Sequence, residues 1–376
     1  MAGIYIHVPF CKTRCIYCDF YSTTRSEWKG RYIEALCKEL EMRYTYLKGK
    51  PIETLYFGGG TPSQLDEKDF RKVFDTVRRV YGMENCHEIT LEANPDDLCP
   101  EYLQMLSELP FNRISMGIQT FDDTTLKLLK RRHNAAQAIR AVELCRAHGF
   151  RNISIDLIYG LPGETTERWE KDLQQAIALD VEHISAYHLI YEEGTPIYKM
   201  LQKHQVEEVD EDSSVRFFTL LIDRWNEAGY EHYEISNFGK PGMYSRHNTS
   251  YWQGVSYLGC GPSAHSFDGQ TREWNCSSIE KYMSGIESGQ RDFEREERDL
   301  ATRYNEFIIT SVRTQWGISL ERLSNDYGTK LEQYCLKMAR PALESGKLEI
   351  YEGALRLTRE GIFICDSIMS DLLWVE

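Results

Sequence analysis

From Gly3 to Gly229 the chain alternates apolar, strand-like runs with longer segments of helical periodicity, and this constrains its fold more than any other feature. The runs 3–10, 52–57, 87–95, 113–121, 151–160 and 182–191 read as strands. The segments 27–47, 66–81, 100–108, 122–130, 134–148, 166–179 and 211–228 read as helices, with apolar residues returning every three or four positions. Asp66 is the expected N-cap of the second of these. Six strand-then-helix units in succession predict parallel strands joined by right-handed crossovers. Eight such units would close a barrel, so six predict an incomplete barrel or an open sheet. The runs are rich in Ile, Leu and Tyr and mostly without alternation, which predicts strands covered on both faces.

Beyond residue 230 the pattern breaks. Residues 231–294 are rich in Gly, Ser, Asn, Tyr and Trp and poor in helical period. A loop-rich connecting segment of that length is usually functional. Residues 295–376 return to helices with two short strand candidates, KLEIYE and ALRLT. Helices with a two-stranded wing predict a small α+β, winged-helix-like C-terminal domain. The expected division is therefore 1–230, 231–294 and 295–376.

A winged helix often binds DNA, but this one carries a net charge of −3. The whole chain of 376 residues carries −14. Both balances argue against broad binding to nucleic acid or anionic lipid. No stretch approaches the ~18 apolar residues of a membrane span, and the N-terminus lacks the basic start of a secretion signal. The expectation is a cytoplasmic protein with reduced thiols, although an acidic chain can still dock peripherally on a membrane partner.

Eleven cysteines are present, and the only cluster is Cys11, Cys15 and Cys18. C-x3-C-x2-C in a polar loop after the first strand brings three thiols within eight residues. Structural zinc wants four protein ligands, and no fourth stands nearby. Thiolates also suit iron–sulfur chemistry. A cubane held by three thiolates leaves one iron open to a non-protein ligand. The second strand runs into Gly58-Gly59-Gly60-Thr61-Pro62, where missing Cβ atoms let backbone approach a ligand closely.

C-x3-C-x2-C after an N-terminal strand, followed by a glycine segment after the second, resembles the radical SAM superfamily. The pieces IYIHVPFCKTRCIYCDF, YFGGGTP, LEANP, RISMGIQTF, RRHN and SIDLIYGLPGET resemble its coproporphyrinogen III oxidase-like branch. The resemblance implies an α/β fold with a partial (β/α)6 radical SAM barrel. It implies a 4Fe–4S cluster on Cys11, Cys15 and Cys18 and S-adenosylmethionine at the open iron. It assigns cofactor contacts to Tyr5, Tyr17, Gly59, Gly60, Thr61, Glu92, Gln119, Arg131 and Asp156, with Arg132 a neighbouring alternative to Arg131.

Two subfamilies of this branch compete. The anaerobic coproporphyrinogen III dehydrogenases carry a fourth cysteine in C-x3-C-x2-C-x-C. The haem chaperones of the HemW type carry phenylalanine there, as in Cys18-Asp19-Phe20. SRHNTSYW at 245–252 also resembles the HNxxYW segment of the chaperones. That resemblance implies haem as ligand, with His247 offering a nitrogen to iron, Asn248 beside it, and Tyr251 and Trp252 stacking on the macrocycle. It further implies haem-accepting proteins and an electron donor as partners. A third reading, a winged-helix regulator with an iron–sulfur sensor, is opposed by the acidic C-terminal module.

Overall fold

A computed structural model describes residues 1–375. In chain order the first half contains β1 (Ala2–Val8), α1 (Lys29–Met42), β2 (Ile52–Gly59), α2 (Glu67–Tyr81), β3 (Glu88–Ala93), α3 (Pro100–Ser107), β4 (Arg113–Gln119), α4 (Asp123–Leu128), α5 (Ala135–Ala147), β5 (Ile153–Tyr159), α6 (Thr166–Ala178) and β6 (His183–His188). Then come α7 (Pro196–Gln202) and α8 (Glu211–Glu227). Strands β1 to β6 lie side by side in sequence order, every neighbouring pair parallel. Local chemistry sets the helix starts. Asp66 and Asp69 form a reciprocal capping box on α2, and Asn134 and Gln137 do the same on α5.

The strands do alternate, contrary to the expectation of two apolar faces. On β4, Ile114, Met116 and Ile118 are fully buried against the helix layer. Arg113, Ser115, Gly117 and Gln119 line a cavity on the other face. On β5, Ile153, Ile155 and Leu157 face outward, and Asp156 and Ile158 line the same cavity. The period of two was present in the sequence but disguised, because polar lumen residues are mixed with Tyr, Gly and Ile. The parallel strands therefore curl around a polar interior under an apolar shell.

Segment 231–294 holds more regular structure than its composition suggests. It contributes β7 (Glu231–Glu234), β8 (Asn237–Gly239), α9 (Arg246–Trp252), β9 (Tyr257–Cys260), β10 (His265–Phe267), β11 (Thr271–Asn275) and α10 (Ile279–Ser288), and β12 (Phe293–Glu297) follows. These strands extend the sheet at both edges, in the order β12-β11-β10-β9-β1-β2-β3-β4-β5-β6-β8-β7. β9 runs parallel to β1, while β8 runs antiparallel to β6. Strands of three to five residues fall below the window in which periodicity can be read.

The C-terminal part comprises α11 (Leu300–Val312), β13 (Ile318–Ser319), α12 (Leu320–Tyr327), α13 (Thr329–Glu344), β14 (Leu348–Tyr351), β15 (Ala354–Leu357), α14 (Arg359–Ile362) and α15 (Cys365–Leu372). Its strands form a separate sheet, β13-β15-β14, and its helices close their own core around Tyr304, Ile308, Leu323, Cys335 and Leu372. Helices around a β-hairpin match the expected α+β wing.

Candidate functional site

A cavity of 430 Å³ opens at the carboxyl ends of the parallel strands. Parallel α/β sheets place ligands at that end, because loops and helix starts converge there. The loop after β1 brings Cys11, Cys15 and Cys18 to its wall, and the loop after β2 brings Gly59, Gly60 and Thr61. Thr61 donates its hydroxyl to Cys11 Sγ at 3.4 Å. Arg131 donates from Nη1 to Cys15 Sγ at 3.3 Å and from Nη2 to the Asn94 side-chain oxygen at 2.8 Å. Burial raises the pKa of the Cys11 thiol, and the Thr61 hydroxyl opposes that rise. None of the eleven cysteines is in a disulfide. Among the described residues no three metal-ligating side chains converge as they would on one ion.

The glycine segment is a cradle that side chains would fill. Gly59 has φ +105°, and a Cβ there would meet the His7 ring at 2.7 Å. A Cβ on Gly60 would meet the Pro9 carbonyl carbon at 2.8 Å. Only glycine allows this backbone to approach β1 so closely, with the Gly60 amide donating to the Val8 carbonyl at 2.8 Å.

The floor of the cavity is charged. Glu92 accepts from Tyr56 Oη at 2.8 Å and from the Gly59 amide at 3.1 Å. Burial pushes its pKa up to about 7. Burial also raises Asp156, to about 6, against the opposing pull of Ser185, Arg113 and Arg131. Arg113 is 1 % exposed, and its Nε and Nη1 have no hydrogen-bond partner among the described residues. A buried guanidinium with unmet donors, beside two carboxylates, is the donor set that an amino acid's ammonium and carboxylate would satisfy. Gln119 sits at a bulge with φ +75°, which turns its side chain into the cavity.

Most of the cofactor contacts implied by the resemblance line this one cavity: Tyr17, Gly59, Gly60, Thr61, Glu92, Gln119, Arg131 and Asp156. Arg132 turns away and pairs with Asp96 at 2.8 Å and Asp97 at 2.9 Å. Tyr5 stands apart, with its hydroxyl 3.1 Å from His7 Nδ1. It lines a second cavity. Arg113 escaped the sequence reading, although it lies three alternations before Gln119 on the same strand face.

The four residues assigned to haem are divided. His247 is 1 % exposed, inside the amino-terminal end of the barrel. Its Nδ1 lies 2.7 Å from Thr54 Oγ1 and its Nε2 lies 2.7 Å from Tyr251 Oη. Its ring stacks on Tyr56 with centroids 5.0 Å apart. Burial, reinforced by Arg113, lowers its pKa to about 3. Glu88 accepts from the amides of Arg246 and His247 at 2.9 Å, anchoring the start of α9. Both ring nitrogens are thus engaged within the fold, to Thr54 and Tyr251. Asn248 lines the first cavity, and Tyr251 and Trp252 line the second.

The second cavity measures 730 Å³ and lies between the β9–β11 edge and helices α11 and α12. Phe20, at the position that separates the two subfamilies, lines both cavities and is 65 % exposed.

The sequence model described as "Radical SAM superfamily" matches residues 5–176, and that described as "HemN C-terminal domain" matches 299–364. The chain is 35% identical to the "Heme chaperone HemW" of Bacillus subtilis, covering 99% of each protein. It is 33% identical to the protein of that name in Mycobacterium tuberculosis (strain CDC 1551 / Oshkosh), over 99% of this chain and 94% of that protein. The structure of coproporphyrinogen III oxidase (HemN) from Escherichia coli superposes with a TM-score of 0.85 at 21% identity, over 99% of this chain and 89% of that one. This last likeness concerns the fold.

Proposed function

From the premise that this chain belongs to the radical SAM superfamily and, within it, to the HemW family, we propose that it is a haem chaperone that binds haem for delivery to haem proteins. The observation that carries the reading is the full-length relationship to proteins named heme chaperones, joined to a site that has three cysteines and Phe20 where a fourth would stand. Membership of the superfamily implies a 4Fe–4S cluster and S-adenosylmethionine.

Cys11, Cys15 and Cys18 would hold the cluster. Glu92, Asp156, Arg113 and Arg131 would hold the charged ends and hydroxyls of the cofactor, and Gly59 and Gly60 would let it approach the backbone. Tyr17, Thr61 and Gln119 would complete that pocket. When bound, the cluster supplies one electron for reductive cleavage of the sulfonium. The residues themselves would orient the ligands, with Thr61 and Arg131 hydrogen-bonded to the Cys11 and Cys15 sulfurs and His247 closing the barrel floor. For haem, Tyr251 and Trp252 offer aromatic surface in the second cavity. The partners would be haem, the proteins that accept it and an electron donor. No helix among the described residues is long and apolar enough to cross a membrane.

The test is anaerobic reconstitution followed by two assays on one sample. The expected result is haem binding without decarboxylation of coproporphyrinogen III. Turnover of that substrate would install the dehydrogenase reading instead.

A further inference from the structure

The second cavity has a composition at odds with the rest of the chain. The protein carries −14 overall, yet here Arg272, Arg298, Arg303 and Arg322 face only Glu306 and Asp326. Glu306 is shared, since Arg272 pairs with it at 3.1 Å and Arg298 also contacts it. The side chain of Arg298 is 7% exposed, and its Nε has no hydrogen-bond partner among the described residues. The Nε of Arg272 is likewise buried without one. Arg303 has no ion-pair partner among the described residues. Buried donors left unmet in a cavity of surplus positive charge specify an anion.

The walls are aromatic. Arg298 lies over Phe267 at 4.8 Å and Arg322 over Phe307 at 5.0 Å, so the cations are held against ring faces. Trp252 and Tyr257 add further rings. One histidine at this cavity is uncommitted. His265, on β10, stacks on Trp274 with centroids 5.6 Å apart, and its ring has no hydrogen-bond partner among the described residues. His7, by contrast, is bound at Nδ1 by Tyr5 and at Nε2 by the Tyr21 carbonyl. Partial burial and Arg272 lower the pKa of His265, which keeps a lone pair available near neutrality.

Resting on the haem-chaperone reading, we propose that haem is seated in this cleft between the barrel edge and the C-terminal module, with His265 ligating iron and the arginine rim, Arg303 foremost, binding the propionates. A carboxylated metalloporphyrin is the ligand class that uses a neutral imidazole, aromatic walls and surplus guanidinium together. The site is separate from His247, and it meets the cofactor cavity at Phe20.

The test is spectroscopic titration of the reconstituted full-length protein with haem, haem dimethyl ester and iron-free protoporphyrin IX. His265→Ala is expected to weaken haem binding and change its Soret band, with added imidazole restoring the band. The same variant keeps wild-type affinity for protoporphyrin IX, which has no iron to ligate. Arg303→Gln is expected to weaken haem roughly tenfold to a hundredfold, the range for losing a charged hydrogen bond. It leaves binding of the dimethyl ester unchanged. Both side chains border the cavity outside the cofactor site, so S-adenosylmethionine affinity is the folding control. An unaltered Soret band and affinity in His265→Ala overturn the site while the chaperone reading stands. Failure of the wild-type protein to bind haem overturns the chaperone reading, and the site with it.

Discussion

The Thr54 hydroxyl lies 2.7 Å from Nδ1 of His247, and this contact ties the helix after residue 245 to the second strand of the barrel. Tyr251, one turn further on, engages the other ring nitrogen. His247→Ala would leave two buried hydroxyls without partners beside a cavity. Unmet buried groups and lost packing together cost about 2–4 kcal/mol. Denaturant unfolding of the variant should show a loss of that size, while its folded fraction keeps the haem Soret band. Loss of the band at unchanged stability would mean that His247 ligates the iron.

Arg131 and Arg132 are neighbours with separate tasks. Arg131 reaches Cys15 Sγ and Asn94 in the cofactor cavity. Arg132 joins a cluster in which Asp97 also accepts from Ser63 at 2.8 Å and Gln64 at 2.6 Å. Arg131→Gln should lower S-adenosylmethionine affinity by about tenfold or more, the scale of one lost charge-assisted hydrogen bond. Arg132→Gln should cost about 1.5–3 kcal/mol of stability with affinity held within about twofold. Calorimetric titration and unfolding of both variants check this. Equal effects on affinity would refute the division.

The barrel was legible because six strand–helix units repeat within the reach of periodicity, and the thiols because they are adjacent in sequence. Less visible was the lumen. Ser115, Gly117 and Gln119 alternate with Ile114, Met116 and Ile118, yet glycine and serine among apolar residues do not read as a polar face. Arg113 begins the same strand face and was missed for that reason. The haem segment was legible as a motif but not as a place. HNTSYW lies on a short helix whose informative residues point to three places: the barrel floor, the first cavity and the second. The second cavity draws its lining from residues 5–21 and from residues 251–327, and no local pattern joins such distant segments.

Glu39 links the first helix to the added edge of the sheet. It is fully buried, accepting from the Gly261 amide at 2.9 Å, Tyr282 Oη at 2.7 Å and Asn275 Nδ2 at 2.8 Å. Arg43 completes the network by donating to the Gly259 carbonyl at 2.8 Å and to Glu273 at 3.0 Å. Removing one member leaves buried partners uncompensated, at a cost of about 3–5 kcal/mol. Glu39→Ala should therefore unfold at markedly lower denaturant. Because the network holds β9 to β11, haem affinity should fall with it. Wild-type stability in this variant would show that the edge is held by apolar packing alone.

His232 offers a titration with a defined sign. Its ring stacks on Phe238 at 4.3 Å and 8°, and Nε2 donates to the Ile235 carbonyl at 3.1 Å. Burial lowers its pKa from 6.5 to about 4, opposed by its backbone hydrogen bonds and assisted by Arg359. Between those values the unfolded chain holds the extra proton, so the folded state loses stability as pH falls. The slope is about 1.4 kcal/mol per pH unit well inside the window. Buried carboxylates act in the opposite sense, since Glu92 is raised to about 7 and Asp156 to about 6. Their stability contribution is lost as pH rises, so the raw pH profile mixes both signs. His232→Phe keeps the stack and removes one titration, and the carboxylate contributions cancel in the difference. The stability of wild type relative to this variant should be constant above pH 7 and fall as the pH is lowered from 6.5 toward 4. Urea unfolding at several pH values measures it, and parallel profiles would show that His232 takes up its proton without unfolding.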